Sequence, residues 1–178
     1  MVCNKAKQCF PEILKDKSSV SCSGVTKCIK FCDKRKNAVC DEKGKVYMLE
    51  NTEDPHKILA LHVDGGIVIV DKNTPTGLSK CDYLFIIETD TAPVAILIEL
   101  KGTDVKHAVT QIESTLNLFS EYFKTCSNVH GRIVFSGGTP NLQNTPDFMR
   151  LQRRLKQMSG TLSAKGKILP EKLVSVLA

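Results

Sequence analysis

Lys80-Cys81-Asp82-Tyr83-Leu84-Phe85-Ile86-Ile87 and, a few residues on, Val94-Ala95-Ile96-Leu97-Ile98-Glu99-Leu100-Lys101-Gly102 form the stretch that decides the fold. Two apolar runs of strand length are separated by Asp90-Thr91-Ala92-Pro93, which is a turn by composition. They are expected to pair as antiparallel neighbours. The second run is almost continuously apolar, which predicts a strand buried on both faces. Glu99 and Lys101 stand two apart at its end, so alternation gives them one face and leaves the other to Ile98 and Leu100. In a hairpin the start of one strand lies beside the end of the next, which brings Asp82 to the same rim. A carboxylate and an amine buried there are costly unless they pair or bind something.

Downstream, residues 104–123 read as a helix. Thr103 or Asp104 can cap it, and Val105, Ala108, Val109, Ile112, Leu116, Phe119 and Phe123 form one apolar stripe. A strand is expected at 133–136 after a His130-Gly131 break. A second helix is expected at 147–158, headed by Thr145-Pro146. Residues 168–177 read as a final strand or short helix. Upstream, 58–63 and 67–70 are β-rich runs around Asp64-Gly65-Gly66, and 46–49 is a short strand after Lys43-Gly44-Lys45. Residues 18–24 and 71–80 are loops by composition, and 1–40 reads as irregular or helical. This order predicts the α/β (α+β) class, a mixed central sheet flanked by helices.

The 178 residues are 42% hydrophobic and 25% charged, values that exclude disordered, collagen-like and membrane classes. The apolar run at 94–98 is far short of a bilayer span. No apolar segment follows Met1-Val2-Cys3-Asn4-Lys5, so the expected compartment is the cytoplasm, with no membrane partner. The net charge of +6 is uneven. Residues 1–40 hold nine bases against three acids and 140–178 seven against two, while 41–139 hold nine against fourteen. An acidic centre between basic arms suits a cation site flanked by surfaces that grip phosphate. Six of the eight cysteines lie in the first 40 residues without a Cys-x-x-Cys pair, which points to reduced thiols rather than a zinc module or a disulfide framework.

Two carboxylates brought close together repel each other unless a divalent cation sits between them. Mg2+ or Mn2+ would take Asp82, Glu99 and the backbone C=O of Leu100, with a phosphate oxygen completing the shell. Lys101 would orient or deprotonate a water and offset charge on the reacting phosphate. At this point Asp82…Glu99-Leu100-Lys101 resembles the PD-(D/E)xK nuclease superfamily, with Cys81 where a Pro often stands. The resemblance covers residues 58–136. It implies a restriction-endonuclease-like core of helix, three antiparallel strands, helix and fourth strand. It also implies a glutamine facing the site, and Gln111 occupies such a place, with His107 one turn earlier as a substrate contact.

Asp64 is the candidate additional ligand, with Glu12 and Glu50 as rivals. Asp41-Glu42-Lys43 repeats the short acid-x-Lys pattern, but it is read as a decoy in a polar turn with no apolar strand beneath it. Ser136-Gly137-Gly138-Thr139 lacks the ending of a nucleotide loop and reads as a turn. The chain divides into a cysteine-rich region 1–57 packed on a nuclease-like domain 58–178, whose basic extension is 140–178. Arg150, Arg153, Arg154 and Lys156 are candidate contacts to a nucleic-acid backbone. The expected function is a metal-dependent endonuclease acting on DNA. The alternatives are a non-catalytic nucleic-acid-binding module on the same fold, or a protein-interaction adaptor. Cleavage of two strands needs two sites, which suggests a homodimer.

Overall fold

The computed structural model describes residues 3, 6–16, 25–69, 78–137 and 142–178. In chain order the elements begin with α1 (Ala6–Lys15), α2 (Val25–Cys28), β1 (Ile29–Asp33), β2 (Asn37–Glu42), β3 (Lys45–Glu50), β4 (Ile58–His62), β5 (Tyr83–Ile87) and β6 (Val94–Lys101). They continue with α3 (Val105–Leu118), α4 (Ser120–Phe123), β7 (Asn128–Phe135), α5 (Pro146–Gln157), β8 (Leu162–Gly166), β9 (Ile168–Lys172) and α6 (Leu173–Leu177). The fold is mixed α/β.

A six-stranded sheet runs β1-β4-β5-β6-β7-β8, and a three-stranded sheet runs β2-β3-β9. β5 and β6 pair antiparallel with Tyr83 opposite Ile98, as the turn between them demands. β7 lies parallel to β6 after the α3 crossover, and β8 lies parallel to β7. Both faces of the large sheet are covered. Leu84, Ile86, Ala95 and Leu97 enter a core with α1, α3 and α5. Tyr83, Phe85, Ile87, Ile96 and Ile98 enter a second core, which the small sheet and α6 close. At about 25 cal/mol per Å2 of apolar surface, this double burial is the main favourable term for β5 and β6.

The Asp104 side chain caps α3 by accepting from the His107 amide at 3.1 Å. Thr145 caps α5, with Pro146 in its first turn. The 104–123 helix is divided in two: α3 ends at Leu118, Phe119 caps it, and α4 carries the chain on, so that Phe119 and Phe123 both reach the first core. The expected break at His130-Gly131 is absent, because β7 runs straight through it. A Cβ on Gly131 would meet Leu162 at 2.8 Å and Leu155 at 3.0 Å, so this glycine admits the neighbouring layer rather than ending a strand.

The 67–70 run is no strand over its described residues. Ile67 and Val68 fold back in a turn whose amides bond to His62 and Val63, and only the Asp64–Val68 bridge remains. The 1–40 region, read as irregular or helical, supplies β1 and most of β2, and 168–177 is both a strand and a helix. Pairing crosses position 57 in both sheets, β1 with β4 and β3 with β9. The loop at 18–24, most of that at 71–80, and Gly138-Thr139 lie outside the described residues. Among the described residues no helix is long and apolar enough to cross a membrane.

Candidate active site

The chain end of β6 carries the candidate chemistry. Glu99 follows Ala95 and Leu97 by alternation and so faces the α3 layer, and Lys101 follows it. Glu99 is 1% exposed. One carboxylate oxygen lies 3.9 Å from the Lys101 ammonium, and the other is buried with no hydrogen-bond partner. Such an orphaned buried oxygen is costly. Burial pushes the Glu99 acid up to about 9, the Asp82 charge adds to the rise, and the Lys101 ammonium opposes it.

Asp82 sits one residue before β5. Its amide donates to the Ile98 carbonyl at 3.1 Å, and its carboxylate accepts from the Leu100 amide at 2.7 Å. The expected convergence of Asp82 on the Glu99–Lys101 rim is therefore present, and Leu100 holds Asp82 through its N–H. Burial lifts Asp82 to about 6. The Leu100 hydrogen bond works against that rise, while the charges of Glu42 and Asp64 add to it.

Gln111 joins the cluster from α3. Lys101 donates to its side-chain oxygen at 2.7 Å, and its amide nitrogen donates to the Lys80 carbonyl at 2.8 Å. An ammonium can only donate, so the amide has one sensible orientation, which ties Lys101 to the segment entering Asp82. One helical turn on, buried Thr115 accepts from the Cys81 amide at 2.9 Å and donates to the Gln111 carbonyl at 2.8 Å. Thr115 escaped the sequence reading. Its signal was a lone hydroxyl four residues after Gln111 on an apolar face.

Asp64 is largely exposed and pairs with Lys80 at 3.2 Å. Its charge reaches Asp82, but its carboxylate is engaged elsewhere. Glu12 is exposed on α1, and Glu50 lines a cavity of about 300 Å3 with Glu53, His56, Lys172 and Leu177, which takes in none of Asp82, Glu99, Lys101 and Gln111. His107 is exposed at the start of α3. Arg150 is held by Glu113 of α3 at 3.1 Å and by Asp147 at 2.9 Å, and Arg153 donates to the Met149 carbonyl at 3.3 Å. The α5 bases, Arg154 and Lys156 included, thus lie along a helix docked beside α3, and none contacts the four-residue cluster directly among the hydrogen bonds and ion pairs described.

The Asp41-Glu42-Lys43 turn differs from its reading. It closes β2, whose Ala38 and Cys40 are buried in the second core, so an apolar strand does lie beneath it. The charge of Glu42 bears on Asp82, Glu99 and Tyr83.

Among the described residues no three His, Cys, Asp or Glu side chains are grouped so as to hold a metal by themselves. Asp82 and Glu99 supply two carboxylates, and the unpartnered Glu99 oxygen has the hard donor chemistry that Mg2+ or Mn2+ takes. Among the described residues no two cysteines are joined by a disulfide. No protein-family description, curated protein or solved structure matches the chain.

Proposed function

We propose that the chain is a metal-dependent nuclease of the PD-(D/E)xK kind, hydrolysing phosphodiester bonds of DNA with Mg2+ or Mn2+. The observation that carries this reading is the nearly inaccessible Glu99 carboxylate, with one oxygen unpartnered, at a rim shared with Asp82 and Lys101. A purely structural Glu–Lys pair would satisfy both partners; this one leaves an acceptor open and two acids coupled.

The element order also supports it. Helix, three antiparallel strands, helix and strand run α1, β4, β5, β6, α3 and β7, with β1 to β3 inserted after the first helix region. On this reading Asp82 and Glu99 hold the cation, helped by the Leu100 carbonyl. The cation, when bound, polarises the scissile phosphodiester and makes water a better nucleophile. Lys101 positions that water and stabilises charge on the phosphate. Gln111 keeps the Lys101 ammonium in place. Asp64 is a reserve acid beyond this set, and the basic face of α5, with His107, would follow the nucleic-acid backbone. Two-strand cleavage would pair two copies.

The test is incubation of the protein with plasmid, single-stranded DNA and RNA, with and without Mg2+ or Mn2+. Cation-dependent cleavage that disappears in Asp82→Ala, Glu99→Ala and Lys101→Ala is expected. Full activity in excess EDTA would overturn the metal role. Salt-sensitive binding without turnover under any cation would make the protein a binding module instead.

A further inference from the structure

One peptide unit leads into Asp82, and α3 holds it at both ends. In the Lys80–Cys81 peptide, which is trans, the C=O and the N–H point in opposite directions. The carbonyl accepts from the Gln111 side-chain nitrogen at 2.8 Å. The N–H, on the fully buried Cys81, donates to the Thr115 hydroxyl at 2.9 Å. Gln111 and Thr115 stand four apart on α3, so they share a face one turn apart and bracket the peptide between them. The Thr115 hydroxyl is not free to turn. Its own proton goes to the Gln111 carbonyl at 2.8 Å, which leaves a lone pair for Cys81. The backbone groups of Asp82 are held as well. Its N–H donates to Ile98 at 3.1 Å, and its C=O accepts from the amide of Val63, just past β4, at 2.8 Å. The chain on either side of the Asp82 side chain is therefore fixed, before it by a helix and after it by strands.

We propose that Thr115 is a positioning residue: with Gln111 it clamps the Lys80–Cys81 peptide and so sets the Asp82 carboxylate against the Lys101 ammonium. The proposal rests on the nuclease reading above and adds to it a residue that acts through the backbone, not on the reacting atoms. Gln111 is the link between the two arms, since its side-chain oxygen accepts from Lys101 at 2.7 Å while its nitrogen holds Lys80. Thr115 fixes the other end of the same peptide, without which the Gln111 bond is a hinge. Packing alone does not call for a hydroxyl here. Ala108, Ile112 and Leu116, the neighbouring buried residues of α3, are all aliphatic.

Steady-state cleavage of plasmid by the full chain with Mg2+, well below the melting temperature of each variant, tests this. Thr115→Val matches the shape but removes the acceptor. It should lower kcat on the order of tenfold and leave KM unchanged. Thr115→Ser returns the oxygen and should restore kcat to within a few fold of the parent. A threonine that served folding alone would lower the melting temperature of Thr115→Val and leave kcat per folded molecule at the parent value. In a double variant with Gln111→Ala, Thr115→Val should add little further slowing, because a peptide released at one end is no longer held by the other. Losses that multiply would overturn the shared clamp. If Thr115→Val turns over like the parent, the proposal fails and the nuclease reading stands. If the parent chain cleaves no DNA with Mg2+ or Mn2+, both fail. Should Thr115→Val not fold, Thr115→Ala removes the hydroxyl without setting a methyl against the Cys81 N–H, and the same loss of kcat is required of it.

Discussion

Glu99 and Arg132 are both ionisable, almost wholly buried, and on adjacent strands of one sheet, yet they are treated in opposite ways. Arg132 lies opposite Ile98 and so faces the small sheet, whereas Glu99 faces the helices. The guanidinium is fully provided for: it donates to Glu171 at 2.8 and 2.7 Å and to the carbonyls of Gly131 and Thr161 at 2.9 Å. Glu171 in turn accepts from the Tyr47 hydroxyl at 3.0 Å, which ties β7 to β9 and β3. Glu99 has a lysine at 3.9 Å on one oxygen and nothing on the other. The satisfied group fastens two sheets together; the other keeps an acceptor open. Burial alone does not distinguish them, and counting partners does.

Substitutions can break that contrast. The largest expected effect is that of Glu99→Gln, which removes the charge at constant shape. Cleavage should fall on the order of a thousandfold, while the melting temperature of the metal-free protein holds or rises. A variant that unfolds instead would make Glu99 a structural residue like Arg132. Next, Arg132→Met should cost about 3 kcal/mol, because it strands the Glu171 carboxylate. A denaturant titration reads this, and cleavage per folded molecule should not change. Gln111→Ala follows: Lys101 loses its tether, and a misplaced amine lowers the cleavage rate on the order of tenfold to a hundredfold, with little change in the denaturation midpoint.

The smallest effect sharpens the contrast through pH. Glu99 has a folded value raised to about 9, so without cation its contribution is present below the ordinary glutamate range and is lost as pH rises toward 9. His130 is the reverse. Burial, and then the Arg132 charge, hold it down at about 4, so its contribution is present above about 6.5 and is lost as pH falls toward 4. Thermal melts across pH should therefore show the site weakening the alkaline limb and the Arg132 region the acid limb. Glu99→Gln should flatten only the former, and Mn2+ should raise the melting temperature more at pH 8 than at pH 5.

The central hairpin and the Asp82, Glu99, Lys101 and Gln111 cluster were legible in the sequence because everything that forms them is local. A short turn joins two apolar runs, and a helix begins soon after Lys101. The rest depends on distant partners. β1 alternates only over Ile29-Lys30-Phe31, too short a run to announce a strand, and it is fixed as one by β4 beside it. Gly131 has the chemistry of a break, yet it serves as the gap that Leu155 and Leu162 fill. Glu42 reads locally as a solvated turn acid.

The pairing of Val46 with Ile168 closes the small sheet across most of the chain. A contact so remote along the sequence carries a large loop-closure entropy and forms late relative to the β5–β6 ribbon. During folding the central ribbon can thus assemble before the small sheet is complete. A molecule caught between those stages would have one face of its central sheet bare, and the strand that completes the cover is the one carrying Glu171.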